Sequence, residues 1–308
     1  MGVRSVMWRR GWIVIAGLLV VVLWVLNVSR AGTHVEGCAA GCATDGPRQS
    51  GSLRVMSVNV LHDFPHFLYL SQRLDLIADE IRRQDADLVC LQEVPWTLQL
   101  RDGARYLAGR TGMNYLYLRA NGNRHALLFE EGEAILSRYP LREVAFGELK
   151  PRPHFFEHRM ALAATAATPW GDVRVVVTHL TTAAESNHAQ AMSLLAFVAA
   201  QGKGRPTIVA GDFNATEESP QIRALSRQWI DTYRVVHPEE KGATCCVDDL
   251  SAGPDEPLEK RIDYVFFVPG TAPSIRVIAS QRVLDRPFRT AGGWLWASDH
   301  VGLLTSFQ

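Results

Sequence analysis

Apolar residues along the chain fall into short runs and amphipathic stretches that predict alternating strands and helices. Residues 53–60 are apolar apart from small polar breaks, which is typical of a buried strand. Apolar residues then recur at i, i+4, i+7 and i+11 between Leu70 and Ile81, which predicts one face of a helix. Residues 87–93 form the next strand. A strand–helix–strand order predicts parallel neighbours joined by a right-handed crossover.

The same alternation recurs further along the chain. Residues 173–178 and 207–211 read as strands on either side of a helix over 185–200, and residues 264–268 and 301–304 read as later strands. Further strands are predicted at 126–129, 133–138, 159–167 and 274–279. Many of these runs are apolar throughout, as strands buried on both faces are. The pattern therefore predicts an α/β chain in which one sheet packs on another with helices outside.

The N-terminus carries an almost unbroken apolar run from Gly11 to Leu26. Trp8 and Trp24 lie near its two ends, where interfacial aromatic residues are found. Three basic residues precede it: Arg4, Arg9 and Arg10. Residues 1–31 are thus interpreted as a signal-anchor or transmembrane segment, or as a cleaved signal peptide. Either reading places the rest of the chain outside the cytoplasm, anchored to the membrane or secreted.

Residues 32–52 are rich in Gly, Ala, Ser and Thr and lack periodicity, which predicts a flexible linker. Residues 53–308 are expected to form one domain. The chain of 308 residues is 47% hydrophobic and 21% charged, which excludes a disordered, collagen-like or disulfide-miniprotein chain. Basic and acidic residues balance at 32 each, but the first 31 residues hold four Arg and no acid. The remainder is mildly acidic, which argues against non-specific binding along nucleic acid.

The five cysteines suit an exported domain, where disulfides persist. We expect Cys245, Cys246 or both to be paired, with Cys38 or Cys42 as candidate partners. Cys90 lies inside an apolar strand and is expected to be a buried free thiol. The alternative is that all five are reduced. The spacing does not match a zinc site.

Polar residues gather where the predicted strands end or begin. The carboxyl ends of parallel strands meet at one sheet edge, and an antiparallel neighbour begins at that same edge. Polar residues predicted to converge there are Asn59, Glu93, His179, Asp212, Asn214, Asp263, Asp299 and His300. Each of them alone is more often a turn, a cap or a hydrogen-bonded structural residue. Their convergence at one edge favours a functional site.

Carboxylates, an amide and two histidines are the inventory for binding a hard cation such as Mg²⁺. Hydrolysis of a phosphate ester requires a deprotonated water, stabilisation of the charge on phosphorus and a proton for the leaving oxygen. The residues predicted at this sheet edge supply all three of these contributions.

Seven motifs carry a resemblance to a known family: S-V-N-V around Asn59, L-Q-E-V at 91–94, A-I-L-S-R-Y-P-L at 134–141, T-H-L at 178–180, G-D-F-N-A at 211–215, R-I-D-Y-V at 261–265 and S-D-H-V-G-L at 298–303. Together they resemble the endonuclease/exonuclease/phosphatase superfamily, in that family's order, over residues 53–308. The resemblance implies the DNase I-like fold: a four-layer sandwich of two packed mixed β-sheets flanked by helices, preceded here by the N-terminal apolar helix. It also implies a Mg²⁺-dependent hydrolase acting on phosphate esters, with Mn²⁺ as a substitute.

The resemblance implies a metal and phosphate side of the site. Glu93 resembles the main metal ligand, Asn59 helps to hold the metal or phosphate, and Asp299 binds or tunes a metal. His179 resembles the residue that donates to a phosphoryl oxygen. Arg159, at the start of a strand, is a candidate phosphate contact or a surface residue.

It also implies a catalytic side. Asp212 and Asn214 resemble the pair that orients the nucleophilic water and the phosphate. Asp263 resembles the residue that orients His300, and His300 resembles the general base. Whether His300 or Asp212 takes the proton stays open here, as does the number of metal ions.

The substrate is the least constrained feature. The fold serves nucleases, phosphatases of inositol phosphates and phospholipids, and sphingomyelinases. Export favours nucleic acid or a phospholipid head group, hydrolysed by a monomer tethered to the membrane by the N-terminal helix. The alternative is a catalytically silent, tethered binding module. Side chains that could line a cleft, or simply pack or face solvent, are Arg101, Arg105, Arg110, Arg119, Arg124, Phe155, Phe156, Trp294 and Trp296.

Overall fold

A computed structural model describes residues 2–44, 51–271 and 275–308, with side chains described from Trp12 onwards. The helices are α1 (Gly2–Val25), α2 (Leu70–Arg83), α3 (Gly103–Thr111), α4 (Ala184–Gly202), α5 (Pro220–Ser226) and α6 (Thr232–Val236). The strands are β1 (Glu36–Cys38), β2 (Leu53–Asn59), β3 (Leu88–Thr97), β4 (Arg101–Asp102), β5 (Asn114–Asn123), β6 (Phe129–Ser137), β7 (Leu141–Glu148), β8 (Met160–Thr168), β9 (Gly171–His179), β10 (Thr207–Asp212), β11 (Ile230–Asp231), β12 (Asp263–Val268), β13 (Val277–Val283), β14 (Phe288–Thr290), β15 (Gly293–Leu295) and β16 (Gly302–Phe307).

Two mixed sheets contain most of these strands. The first has the order β1-β5-β6-β3-β2-β16-β13, with β4 paired to the end of β3. The second has the order β11-β12-β10-β9-β8-β7. Strands β2 and β3 are parallel, as are β9 and β10, and the other pairs within these two sheets are antiparallel. The predicted parallel pairs are confirmed.

The apolar core forms layers that match the four-layer sandwich. A central cluster lies between the sheets and includes Leu88, Ile135 and Val175. A second cluster packs α2 and α3 onto the outside of the first sheet, and a third packs α4 and α5 onto the outside of the second. Each helix buries one apolar stripe on a sheet face, which is the stable solution for amphipathic elements. The predicted fold class is confirmed.

Some element predictions were wrong in detail. Residues 124–127 form a turn instead of the strand predicted at 126–129, and β6 begins at Phe129. The strand predicted at 274–279 begins at Val277, and residue 274 lies outside the described residues. Strands β5 and β7 were not predicted from the sequence.

The segment predicted as a linker is partly structured. Within the described residues 32–44, β1 adds to the edge of the first sheet, where Glu36 to Cys38 pair with Tyr117 to Tyr115. The N–H of Gly32 donates to the carbonyl of Arg119 at 2.8 Å. Residues 45–50 lie outside the described residues. The backbone at Gly32 and over Glu36–Cys38 thus pairs with β5 at the edge of the first sheet.

The helix α1 precedes this edge strand. Its side chains from Trp12 to Val25 are all exposed. Among the residues whose side chains are described, no helix is both long enough and apolar enough to cross a membrane.

The disulfides are local. Cys38 pairs with Cys42, and Cys245 pairs with its neighbour Cys246. Cys90 is a buried free thiol, as predicted. The long-range pairing that we considered between these two regions was wrong, because each cysteine has its partner within the same short segment.

This arrangement predicts a stepwise thiol titration. In the native, unreduced protein we expect no reactive thiol, because burial raises the pKa of Cys90 to about 12 and solvent does not reach it. Unfolding without reductant should expose one thiol per chain, and reduction should expose all five cysteines. A chromogenic thiol reagent measures each step. More than one thiol in the unfolded, unreduced chain would show that one of the disulfides is absent.

Candidate active site

Asn59 ends β2 and Glu93 lies beside it within β3, which continues to Thr97 beyond the predicted end at Glu93. Asn59 pairs with Gln92, and the register between β3 and β6 shifts between Leu91 and Val94, so that Glu93 occupies a β-bulge with φ of 56°. A bulge takes a side chain out of the regular alternation of a strand and redirects it. The amide Nδ2 of Asn59 donates to Glu93 Oε1 at 3.1 Å and to Asp212 Oδ2 at 3.2 Å. Asn59 therefore joins the two sheets at the site.

The second sheet contributes three aligned residues. Asp212 lies opposite His179 on the parallel neighbour and opposite Asp263 on the antiparallel one. Gly211 precedes Asp212 where the neighbouring backbone comes very close, since a Cβ there would lie 1.9 Å from the carbonyl oxygen of Thr178. Only glycine allows this approach, which keeps Asp212 and His179 in register.

Asp212, Asp263 and His300 form a buried acid–imidazole cluster. His300 Nδ1 lies 2.9 Å from Asp263 Oδ2, and its Nε2 lies 3.7 Å from Asp212 Oδ2. Burial alone would lower the pKa of His300, but Asp263, Asp212 and Asp299 outweigh it and raise the pKa well above its usual value. Burial and the charge of Asp263 raise the pKa of Asp212. Because His300 and Asp212 lie so close together, the protonation of one affects the protonation of the other.

His179 and Asn214 lie on the other side of Asp212. His179 Nε2 is 3.0 Å from Asn214 Nδ2 and 3.4 Å from Asp212 Oδ2, and the backbone N–H of Asn214 donates to Asp212 Oδ1 at 2.8 Å. Burial, followed by the charges of Arg159, His300 and His62, holds the pKa of His179 well below its usual range. His179 is therefore a neutral imidazole.

Two predicted residues lie at the margin of the cluster. Asp299 accepts a hydrogen bond from Ser298 at 3.2 Å, and burial raises the pKa of its carboxyl. The Arg159 guanidinium pairs with Glu157, with Nη2 and Oε1 2.9 Å apart, and acts on His179 through its charge. Neither residue makes a described hydrogen bond to the central cluster. Asp299 and Arg159 thus flank the site.

Three acidic or imidazole residues at the site were missed in the sequence. The N–H of His62 donates to Glu93 Oε2 at 3.2 Å. Glu131 and Glu133 project from β6 towards the same region, and burial raises the pKa of both carboxyls. Their alternation along a strand, E-x-E, was the available signal.

Burial alone would raise the pKa of Glu93, but His62 and the Asn59 hydrogen bond outweigh it, so Glu93 stays ionised.

Arg73 was also not predicted from the sequence, because it lies on the apolar face of α2. Its side chain is fully buried and donates to the backbone carbonyls of Val60, Leu61, Leu68 and Ala297 at 2.8–3.2 Å. It therefore joins the loop after Asn59 to the segment before Asp299. An arginine that replaces an apolar residue on a helical stripe was the available signal.

We expect Arg73→Lys to lower the free energy of unfolding by about 3 kcal/mol, since one ammonium cannot satisfy four carbonyls that face a planar fork. Activity at the folded site should fall as well, because two of its loops lose their shared support. Chemical denaturation measures the first effect. Arg83→Lys, on the exposed end of the same helix, is the matched control. Equal stability of the two variants would contradict the role given to Arg73.

The donor set fits a divalent metal ion. Asp212, Asp263 and His300 each offer a ligand atom within 4.8 Å of the others, and the ionised Glu93 lies across Asn59 from them. Several buried carboxylates in one region repel one another unless a cation balances them. Carboxylate oxygens with one imidazole suit a hard or borderline divalent ion.

The aromatic candidates divide between core and surface. Trp296 is buried and its indole N–H donates to the carbonyl of Ala252 at 3.1 Å, so packing explains it. Arg289 lies over the ring of Trp294, at 4.6 Å from its centroid. Phe155 and Phe156 are exposed and contact each other edge to face. Of the arginine segment, three members pair with carboxylates: Arg110, Arg119 and Arg124.

The two packed mixed sheets, flanked by helices and carrying a carboxylate–histidine–amide site at one edge, define a protein of the DNase I-like class. A sequence profile of the Endonuclease/Exonuclease/phosphatase family matches residues 56–300, and the chain belongs to this family.

The chain is also similar to individual proteins in sequence or in fold. The chain is 29% identical over 182 residues to the uncharacterized protein YbhP of Escherichia coli K12. This alignment covers 54% of this chain and 68% of YbhP. It is similar in structure to an endonuclease/exonuclease/phosphatase from Beutenbergia cavernae, with 24% identity, a TM-score of 0.64 and coverage of 83% of this chain and 71% of that one. The mannosyl-6-phosphatase Bt3783 of Bacteroides thetaiotaomicron gives 19% identity, a TM-score of 0.66 and coverage of 83% and 100%. Truncated TDP2 of Caenorhabditis elegans gives 17% identity, a TM-score of 0.62 and coverage of 83% and 97%.

Proposed function

We propose that the protein is a Mg²⁺-dependent phosphoesterase that acts outside the cytoplasm on nucleic acid or on a phospholipid head group. The observation that carries this proposal is the cluster in which Asp263 holds His300 beside Asp212, with Glu93 joined to Asp212 through Asn59. The family includes hydrolases of phosphate esters. Activity outside the cytoplasm is proposed from the apolar N-terminal run and the basic residues before it.

In this proposal Glu93 is the main ligand of the divalent ion, with Asn59 and Asp299 beside it. A bound Mg²⁺ supplies positive charge at a phosphate oxygen, which is the contribution a hard Lewis acid makes to phosphoryl chemistry. Glu93 suits this role because His62 and Asn59 keep its half-buried carboxylate ionised.

In this proposal, the residues at the edge of the second sheet act on the phosphate and the water together with His300, which precedes β16 of the first sheet. The neutral His179 and the amide of Asn214 bind oxygens of the phosphate and orient it. The Asp212–His300 pair takes a proton from the attacking water, and Asp263 fixes the tautomer and the direction of the imidazole. The water oxygen bonds to phosphorus, the bond from phosphorus to the leaving oxygen breaks, and the proton passes to that leaving oxygen. Arg159 contributes positive charge at the rim.

The test uses the purified full chain with bis(p-nitrophenyl) phosphate and p-nitrophenyl phosphate. We expect turnover of at least one of them with Mg²⁺, loss with a chelator, and recovery on adding Mg²⁺ or Mn²⁺. Preference for the first substrate indicates a phosphodiesterase, and preference for the second indicates a phosphomonoesterase. The competing proposal of a catalytically silent binding module requires that neither substrate is turned over and that Mg²⁺ leaves the melting temperature unchanged.

A further inference from the structure

We infer that the site faces a lipid bilayer and that the substrate is a phosphate ester of a membrane lipid. This inference rests on the proposed function, since it names the substrate class of the same site. It depends on where the exposed apolar helix joins the domain, and on which other apolar side chains share that face.

The helix α1 exposes an apolar surface along the described part of its length. From Trp12 to Val25 it contains no polar or charged residue, and its large side chains are 39–70% exposed. These side chains point in all directions around the helix. A protein groove covers one stripe of a helix, whereas lipid covers every face. Lipid is therefore the occupant that fits. The inference requires the helix to enter lipid, not to cross it.

The end of α1 is fastened to the β5–β6 hairpin. The indole N–H of Trp24 donates to the carbonyl of Ala126 at 3.2 Å, and the amide of Asn123 donates to the carbonyl of Asn27 at 2.8 Å. The buried hydroxyl of Ser29 accepts from the N–H of Gly122 at 3.0 Å and donates to a carbonyl of the 154–158 loop at 2.7 Å. These bonds fix the point at which the helix leaves the domain.

That point is close to the site. Gly122 pairs with Glu130 on β6, and Glu130 pairs with Trp96 on β3, three residues beyond Glu93. Two interstrand spacings separate Gly122 from that part of β3, or about 10 Å. The same hairpin carries Phe129, whose ring centroid is 5.1 Å from that of His62, and His62 contacts Glu93.

Further apolar side chains surround this exit point. Phe64 is 42% exposed and stacks on Phe129, with centroids 4.4 Å apart. Leu128, at the base of the hairpin, is 49% exposed. Phe155 and Phe156, in the loop bonded to Ser29, are 59% and 42% exposed. We call Phe64, Leu128, Phe155 and Phe156 the apolar rim. Aromatic side chains that adjoin a lipid-seeking helix are typical of the interface of a bilayer.

Charge favours lipid over a polyanion in solution. The first 31 residues hold four arginines and no acid, which complements anionic head groups. Near the exit point, Arg119 pairs with Glu130 and Arg124 pairs with Glu130 and Glu36, so two carboxylates balance these two arginines. A cleft for nucleic acid needs unpaired cations along its length. The phosphate of a lipid at head-group depth would instead lie beside the rim, within reach of Glu93 and His179.

The experiment reconstitutes the full chain with vesicles of phosphatidylcholine and phosphatidylglycerol. The variant Phe155→Ser/Phe156→Ser alters the rim, Leu19→Asp/Val22→Asp alters the helix, and Ile278→Ser, exposed on the far edge strand β13, is the control. Vesicle flotation measures docking. Release of phosphorylated product from lipid and turnover of bis(p-nitrophenyl) phosphate are measured in parallel.

Flotation and lipid turnover of both double variants should fall by about 10-fold or more, since each buried apolar side chain contributes roughly this factor to partitioning. Their turnover of the soluble ester should stay within about 2-fold of the parent, because none of these residues belongs to the site. The control should match the parent in all three assays.

If the variants hydrolyse the soluble ester and also hydrolyse lipid as fast as the parent does, the inference is overturned and the proposed function stays intact. The same holds if DNA or RNA is cleaved much faster than lipid, or if sedimentation shows a second copy of the chain covering α1. Absence of all turnover would reject the proposed function, and with it the inferred substrate, even if the protein floats.

Discussion

Replacing His300 by asparagine lowers kcat by about 10²- to 10⁴-fold, the range expected when a positioned acid–base group is removed. The amide cannot hold and release a proton between the attacking water and Asp212. It also loses the 2.9 Å contact through which Asp263 orients the imidazole. KM should change little, because the imidazole acts on the water more than on substrate binding.

The control for His300→Asn is His188→Asn, an exposed histidine on α4. Thermal melts of both variants show whether the domain stays folded. Asp263→Asn should reproduce part of the loss, and the double variant should be no worse than His300→Asn, because the two residues act as one unit. Full activity in folded His300→Asn would assign proton transfer to Asp212 alone, and additive losses would reject the coupling to Asp263.

Glu93→Gln is expected to abolish both activity and the stabilisation that a divalent ion confers. The substitution keeps the shape of the side chain but removes the carboxylate that His62 and Asn59 hold in its ionised form. A ligand present at about 100 times its Kd stabilises the folded state by about 2.7 kcal/mol. The parent should therefore melt at a higher temperature with Mg²⁺, and the variant should not.

Glu185→Gln, exposed in the first turn of α4, is the matched control for this substitution. It tests whether a change in net charge alone alters the melting temperature. Isothermal titration of the metal provides a second readout that does not depend on turnover. A Glu93→Gln variant that binds Mg²⁺ as tightly as the parent would move the metal to the cluster of Asp212, Asp263 and His300.

The positions of the site residues could be predicted because short apolar strands end abruptly at them. Asn59, His179 and Asp212 each terminate a run whose period and length are unambiguous. Asp263 opens a strand in the same way. The pairings bring His179, Asp212 and Asp263 to one edge of the second sheet, and Asn59 reaches Asp212 from the facing first sheet.

What escaped prediction depends on tertiary contacts. Strand β7 lies at a sheet edge, and all of its residues after Leu141 are exposed or half-buried, so its sequence lacks an apolar run. Arg73 is buried only because four carbonyls of distant loops surround it. Local pattern contains no information about any of these neighbours.

The bulge at Glu93 has a consequence for the length of its strand. Side chains on a strand alternate between faces, so adding or removing one residue reverses the face of everything beyond that point. In β3 the register already shifts once between Leu91 and Val94. Removing a residue there would restore a regular ladder but would turn Trp96 to the opposite face and detach β4 from its partner. The spacing along β3 is thus as essential as the carboxylate itself, and a single-residue deletion there should harm the site more than many substitutions.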